Sequence, residues 1–523
     1  MTKPTAPIAT AATPAAADEL VEPRPDAAAR LMSALRDGRL DGPAMRVDIV
    51  GITGTEGCAL AHLLSRRLGE AVTLVGHDFS SELEASFNKA HVAVEKADRE
   101  PLFASLMSLP QLEIRAGERY LEGIEGSELI FAGQNWRAYP ANTPKLFEAH
   151  ESVPFAQMMD LYLELAPCPT VALTGTNGKT TTSNWLREMA SRERPARVSG
   201  NDLFSRQSLS ELFEMDPGAL LILEVSNRQA RALRRSSPVV AVTSLAPDHV
   251  DEHGSYEAYL AAKRRLVELQ PADGLTLLNY DDETVRSWRV SAPGEVRFAS
   301  AKPLPADLSG AFATPKGEVK LRIDGVETAL CDRADVSLPG RHNLTNALLA
   351  ALAAHASGVS IEAIRAGLTG FRGVKNRLQR VLRSGNIAWF NDLASTTPWA
   401  TLAALKAFPD GGTWLIVGGK AKAEEGYEEL AEAIATHARH LIAFPGSASE
   451  AILEHLPESV PVTRVESIDD AVKRAREGAR SGDQVLLSPA GAGFYSSFLG
   501  KTASFNRSVR RAARRAARKG KSA

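Results

Sequence analysis

The sequence predicts an α/β protein made of three successive parallel-sheet domains, and three observations carry that prediction. A chain of 523 residues is too long for one hydrophobic core and suggests about three domains. The order strand, Gly-containing turn, helix begins anew three times along it. Several strands, such as ALLILEVS, VVAVTSL and GTWLIVGG, are near-continuous apolar runs, as in parallel sheets covered on both faces.

Taken in order, residues 1 to about 28 are rich in Ala, Pro and Thr and read as disordered, and ARLMSALRDGRL reads as a short leading helix, so that 1–43 precede the first domain. The first domain, 44–166, opens with RVDIVGI, TGTEG, CALAHLLSRRL and AVTLVGHD, a βαβ beginning. The second, 167–374, opens with PTVALTGTNGKTTTSNWLREMASR after the stretch APCPT. Its polar part, roughly 296 to 340, is where a few antiparallel strands are expected. The third, 375–523, alternates NIAWFND, GTWLIVGG, HLIAFPG and DQVLLSP with helical patterns.

Composition narrows the function. Apolar residues at 44% and charged residues at 24% are ordinary for a soluble enzyme. A net charge of −2 supplies no general field for nucleic acid or membrane. Cys58, Cys168 and Cys331 are scattered, without metal or redox spacing, which fits a reducing compartment. No apolar stretch approaches a bilayer span, and the first residues lack a basic segment followed by a continuous apolar core. The expectation is a cytoplasmic protein with no nucleic-acid partner and no stable membrane insertion. The tail RRAARRAARKGK (510–521) reads as a solvated basic helix end, with contact to an acidic partner or an anionic membrane surface as the other reading.

The strongest local signal is Thr174-Gly175-Thr176-Asn177-Gly178-Lys179-Thr180, with Thr181 following, at a strand-to-helix turn. Glycines let backbone N–H groups wrap a phosphate, and a helix N-terminus adds positive potential. Lys179 is placed to reach the β- and γ-phosphates of ATP, and Thr180 to ligate Mg²⁺. Position 173 is Leu, so the common GxxxxGK[ST] pattern is not met.

Glu224 ends an apolar strand, where α/β proteins place ligands, and is either a second Mg²⁺ ligand or a strand-end ion pair. In SYEAYLAAKRRLV, Lys263 falls within the stripe of Tyr256, Tyr259, Leu260, Leu266 and Val267, so it either snorkels to a nearby surface or faces a site. A bare ammonium repels Mg²⁺, whereas a carbamate formed with CO₂ carries −1 and offers oxygen ligands. Gly51, Gly54 and Gly57 with Asp78 about 20 residues on hint at a dinucleotide site, but the spacing is not G-x-G-x-x-G, and close helix–strand packing accounts for it as well.

TGTNGKTTT, the Glu224 strand end, DHVDEHGSYEAYLAAKRRL, GRHNLTNALLAALAAH, FRGVKNR, WFND, VGGKAK and LLSPAGAG follow one another in an order that resembles the Mur ligases. The resemblance covers about residues 46–510. It implies a three-domain architecture, with a Rossmann-like N-terminal domain, a P-loop ATPase centre and a Rossmann-like C-terminal domain. It further implies an ATP-dependent ligase of peptidoglycan precursor synthesis, most similar to the members that add D-glutamate to UDP-N-acetylmuramoyl-L-alanine through an acyl phosphate. A paralogue with another acceptor or acyl donor, and a non-catalytic nucleotide-binding relative, are the rival expectations.

Residue by residue, the resemblance implies that Lys179 and Thr180 bind ATP phosphates and one Mg²⁺, shared with Glu224, while His249 and carbamylated Lys263 hold a second. Asn279 and Asn343 would lie around the adenine end, Arg377 at the phosphates and Asp392 at the ribose. Thr55, Glu56 and Asp78 would face the uracil or diphosphate of the UDP-linked muramoyl substrate, and Asn201 its acyl side. Thr396, Lys422 and Phe498 would surround the incoming amino acid. The third domain would close on ATP about a hinge near 372–376, where Gly373 offers freedom, and a monomer is expected.

Three segments depart from the family pattern. Leu393-Ala394-Ser395-Thr396 replaces Ser-Lys-Ala-Thr, removing a basic residue. Gly491 and Gly493 stand where SPACA followed by Ser is usual. AGQNWRAYP (132–140) replaces an SPG-type loop. The first two lie on the amino-acid side and the third on the donor side.

Overall fold

The computed structural model describes residues 25–91, 94–134, 146, 149, 153, 155–201, 208–248, 250–421, 425–494 and 503–519. The chain falls into two compact units. The first comprises Met1–Asn177, Pro195–Thr276 and Ser287–Glu295, and the second Gly178–Arg194, Leu277–Arg286 and Val296–Ala523.

In the first unit, β1 (Met45–Val50), β2 (Val72–Asp78), β3 (Leu112–Ala116), β4 (Leu129–Ala132) and β5 (Phe155–Ala156) form a parallel sheet of order β3-β2-β1-β4-β5. The order reverses between β1 and β4, which places a crevice at the carboxyl ends of those strands. Gly57 lies so close to the end of β1 that an added Cβ would stand 2.3 Å from the Gly51 carbonyl oxygen. Close packing of helix Thr55–Leu68 on its own loop therefore requires glycine there. The same unit carries β6 (Thr170–Thr174), β7 (Ala196–Gly200), β8 (Leu220–Glu224) and β9 (Val239–Val242), parallel and in the order β9-β6-β8-β7. Every residue of β8 is buried, as its unbroken apolar run requires.

The division between units runs through β10 (Leu275–Asn279). In the second unit, β11 (Glu295–Ser300) pairs in parallel with β12 (Gly310–Ala313), and β12, β13 (Glu318–Ile323) and β14 (Val326–Asp332) are antiparallel. These are the antiparallel strands expected between 296 and 340. A two-residue turn, Asp324-Gly325, joins β13 to β14 with both φ positive, the backbone that suits the right-handed strand twist. The last sheet, of order β15-β16-β20-β17-β18-β19, uses β15 (Gln379–Ser384), β16 (Ile387–Asn391), β17 (Thr413–Gly418), β18 (Ala438–Ala443), β19 (Val462–Arg464) and β20 (Gln484–Ala490). Only its β15–β16 pairing is antiparallel, closed by a second positive-φ pair, Gly385-Asn386. Among the described residues no helix is long and apolar enough to cross a membrane.

Two buried charges were not foreseen. Asp48 on β1 accepts from Arg46 (Nε 2.9 Å) and meets His77 Nε2 of β2 at 2.7 Å, while His77 Nδ1 lies 2.5 Å from the Tyr120 carbonyl oxygen. Burial pushes the Asp48 carboxyl up, but hydrogen bonds from His77, Arg46 and Ser127 outweigh it and hold the group below its ordinary range. Asp160, buried on helix Met158–Leu165, has less support: the Arg234 N–H reaches it at 3.3 Å, and burial pushes its carboxyl up to about 6. A carboxyl raised in this way favours the folded chain most below its unfolded range, and that contribution is lost as pH rises through about 6. Asp160→Asn keeps the acceptor oxygen and removes the ionisation. Thermal denaturation should show this variant more stable than the parent near neutral pH, by up to about 3 kcal/mol. The gap should close as pH falls towards 4; a gap that widens on acidification contradicts the assignment.

Candidate active site

The loop after β6 is built around backbone that side chains would obstruct. Gly175 has φ +142°, and a Cβ there would stand 2.0 Å from Thr243 Oγ1. The Thr176 N–H donates to the Ser244 carbonyl at 2.6 Å, and the Ser244 hydroxyl donates to the Asn177 carbonyl at 3.2 Å. Thr176 Oγ1 donates to the Ala246 carbonyl and accepts from the Ala246 N–H, both at 3.1 Å, which leaves the Tyr259 hydroxyl, 2.7 Å away, to donate to it. Burial pushes that hydroxyl up to about 12, so it keeps its proton.

Lys263 lies one turn beyond Tyr259 on the same helix. Ser255 caps helix Tyr256–Glu268, whose buried residues are Tyr259, Ala262, Lys263, Leu266 and Val267. The inward reading of Lys263 is therefore correct. Its side chain does not snorkel: the residue is 1% exposed, and Nζ donates to the Gly175 carbonyl at 2.8 Å, 4.9 Å from the centre of the Tyr259 ring.

Glu224, at the end of β8, is also buried. Asn201, expected on the substrate side, donates through Nδ2 to Glu224 Oε1 at 3.3 Å and through its N–H to the Glu224 carbonyl at 2.8 Å. In the crevice of the first sheet, Asp78 is buried and accepts from the Thr53 hydroxyl and, at 3.0 Å, from the Ser80 N–H, so it ties the β1 loop to the end of β2. Thr55 opens the helix that follows Gly54. Glu56 is turned towards Gln229, whose Nε2 donates to its Oε1 at 2.8 Å, and towards the Gln134 N–H at 3.3 Å. Burial pushes the Glu56 carboxyl up and these two bonds pull it back only in part.

The second unit holds the rest. Gly178 has φ +90° and precedes helix Lys179–Ala190, whose first turn carries Lys179, Thr180 and Thr181. A Cβ on Gly178 would stand 2.4 Å from Asn346 Oδ1, so this buried amide lies directly against the loop. Asn346 was missed in the sequence because helix Arg341–Ala356 is buried on nearly every face, and no periodic contrast marks one polar residue from another. Asn343, the neighbour singled out instead, donates to the Pro339 carbonyl at 2.6 Å, and Asn279 Oδ1 accepts from the Asp281 N–H at 3.0 Å.

Arg377 is exposed between Asn376 (φ +63°) and Leu378 (φ +42°), two residues in a backbone region that is unfavourable without glycine. Asp392 is buried and accepts from the Leu378 N–H (2.9 Å), the Ser395 hydroxyl (2.6 Å) and the Ser488 hydroxyl (2.9 Å). Burial nevertheless pushes its carboxyl up to about 6. Asp392 thus braces the turn that carries Arg377. Thr396 follows this brace and is half-buried. At Gly491 a Cβ would stand 2.7 Å from Ala448 Cβ and 2.9 Å from the Gly418 carbonyl oxygen, so the glycine departure there has a packing cause. His249, Lys422 and Phe498 lie outside the described residues, as does most of the 132–140 segment. Among the described residues no group of three or more His, Cys, Asp or Glu side chains is placed to hold a metal ion.

Comparison with known proteins identifies the family. Residues 173–354 match the model of the Mur ligase middle domain, and residues 376–491 that of the Mur ligase, glutamate ligase domain. A UDP-N-acetylmuramoylalanine–D-glutamate ligase of Acetivibrio thermocellus is 31% identical over 414 residues, 77% of this chain and 86% of the relative. One of Acidobacterium capsulatum is 33% identical over 360 residues, 68% of this chain and 76% of the relative. Among solved structures, MurF ligase of Thermotoga maritima in complex with ADP superposes with a TM-score of 0.52 at 15% identity, covering 90% of this chain and 96% of that one. MurC of Thermotoga maritima does so with a TM-score of 0.50 at 18% identity, covering 89% and 99%; both likenesses are of fold. On the sequence relatives and the two matched domains together, the chain belongs to the Mur ligase family.

Proposed function

We propose that this chain uses ATP to join D-glutamate to UDP-N-acetylmuramoyl-L-alanine, in peptidoglycan precursor synthesis. The observation that carries the reading is Lys263, 1% exposed, with Nζ on the Gly175 carbonyl of the phosphate loop. Its relatives, at 31% and 33% identity over most of their length, are named for the same reaction.

The residues present fit the ligands the family implies. Gly175 and Gly178 hold the loop in conformations that aim backbone at a phosphate, and Glu224 supplies a buried carboxylate at a strand end. Thr180, Glu224, His249 and Lys263 as its carbamate would hold two Mg²⁺, which when bound neutralise phosphate charge and polarise the acyl oxygen. In the proposed reaction the donor carboxylate displaces ADP from the γ-phosphorus to give an acyl phosphate, and the amine of the amino acid then displaces phosphate. Lys179 and Arg377 neutralise charge as carboxylate and triphosphate approach. Asn346 fixes the nucleotide beside Gly178, with Asn279 and Asn343 on its adenine side. Asp392 holds the turn bearing Arg377 and reaches the ribose when the third domain closes about Gly373, whose φ is +83°. Thr55 and Asp78 support the donor end, while Thr396, Lys422 and Phe498 surround the amino acid.

A second reading keeps the chemistry and changes the acceptor. It is favoured by Ala394, which takes a basic residue out of the amino-acid side, and by Gly493, which stands where the family has a serine. Phosphate release with UDP-N-acetylmuramoyl-L-alanine and a panel of D- and L-amino acids decides between them. Release with D-glutamate alone is expected; release only with another amino acid supports the second reading, and silence with all of them rejects both. Asn346→Ala should raise the KM for ATP about tenfold and leave the KM for the UDP-linked donor unchanged, as loss of one nucleotide hydrogen bond would. An unchanged KM for ATP removes Asn346 from the nucleotide site.

A further inference from the structure

Glu56 belongs to the helix after the β1 loop and Gln134 follows β4, so both stand at the crevice of the first sheet. Ser226 and Gln229 form the short turn two residues beyond Glu224. Hydrogen bonds join these four residues into a closed circuit. The Gln134 N–H donates to Glu56 Oε2 at 3.3 Å, and Gln229 Nε2 donates to Glu56 Oε1 at 2.8 Å. The Ser226 hydroxyl donates to Gln134 Oε1 at 2.7 Å. Ser226 and Gln229 complete it as a capping box, the Ser226 N–H on Gln229 Oε1 at 3.0 Å and the Gln229 N–H on Ser226 Oγ at 3.1 Å. Ser226 and Gln229 are buried, and Glu56 and Gln134 half-buried, so bulk water competes weakly for these bonds.

We infer that this circuit makes Glu56 a positioning residue, which sets the turn following Glu224 from the donor-side sheet rather than touching the donor itself. The inference rests on the ligase reading and deepens it. Three facts direct it. Each Glu56 oxygen accepts one N–H within the circuit. A carboxylate in the first turn of helix Thr55–Leu68 offsets the positive helix end that would otherwise attract a diphosphate. Covalent continuity then passes the constraint to Glu224, because Val225 N–H is fixed on the Leu173 carbonyl at 2.8 Å and Thr174 Oγ1 donates to the Val225 carbonyl at 3.0 Å. Hydrogen bonds thus tie the turn and Glu224 to the strand before the phosphate loop.

The donor and acceptor count of the circuit supplies its own control. In Glu56→Gln one oxygen becomes an NH₂ group, so one of the two incoming N–H donors loses its acceptor. In Gln229→Glu two carboxylates face each other. In the exchange Glu56→Gln with Gln229→Glu every bond is restored. The amide now at position 56 donates to the carboxylate now at position 229 and accepts from the Gln134 N–H, and that carboxylate accepts from the Ser226 N–H. Steady-state phosphate release, with thermal midpoints recorded alongside, tests this. Each single variant is expected to lower kcat about tenfold with the donor KM held within about threefold, and the exchange to recover most of the loss. A raised donor KM with kcat intact would show that Glu56 touches the donor. A lowered thermal midpoint with kcat and KM intact would show a merely structural bond. Singles and exchange impaired alike would also overturn the inference. Inactivity of the unaltered chain with every donor and amino acid would instead reject the ligase reading on which it stands.

Discussion

A lysine ammonium withdrawn from water and set against a backbone carbonyl is the constraint around which this site is arranged. Burying a charge is costly unless it is paired and hydrogen-bonded, yet Lys263 lies inward on a helix that has polar positions to spare at Glu257 and Arg264. Its neighbours are themselves fixed: Tyr259 is pinned through Thr176 to Ala246, and Gly175 is held against Thr243. In the proposed reading, carbamylation would replace a buried positive charge by an anion that divalent cations pair, and the remaining N–H would keep the bond to Gly175.

The phosphate loop depends on the same economy of space. Gly175 and Gly178 are needed for two separate reasons, both of φ and of contact: one meets Thr243, the other Asn346. Each neighbour fixes the backbone beside one glycine, so in the proposed nucleotide site little conformational entropy would be lost on binding. The turn at Asn376–Leu378 follows another logic. Its positive-φ residues hold an exposed arginine in an unfavourable backbone, and buried Asp392 with Ser395 and Ser488 over-determines that backbone from beneath.

Much of this was legible in the sequence, for reasons that can be named. Periodicity placed Lys263 on the helical face of Tyr259 and Leu266, and left open whether its end returned to the surface. The strand–loop–helix order located the phosphate loop, and unbroken apolar runs marked β8 and β17 as buried on both faces. Contacts across long separations were not legible. The resemblance implies that Glu56 faces the uracil or diphosphate of the donor, but its partner Gln229 lies far along the chain and only the fold brings the two together. Asp48 and His77 sit inside apolar strands, where a pattern reading counts them as interruptions; the parallel register of β1 and β2 makes them a pair. Gly491 reads as a lost cysteine until the approach of Ala448 is seen.

The most direct measurement is NMR of the full chain equilibrated with isotope-labelled bicarbonate and Mg·ATP. A carbamate carbonyl resonance is predicted, absent from Lys263→Met and fading in step with activity as bicarbonate is stripped from the buffer. No such resonance in a fully active enzyme, or unchanged turnover after Lys263→Met, would contradict the account at its centre.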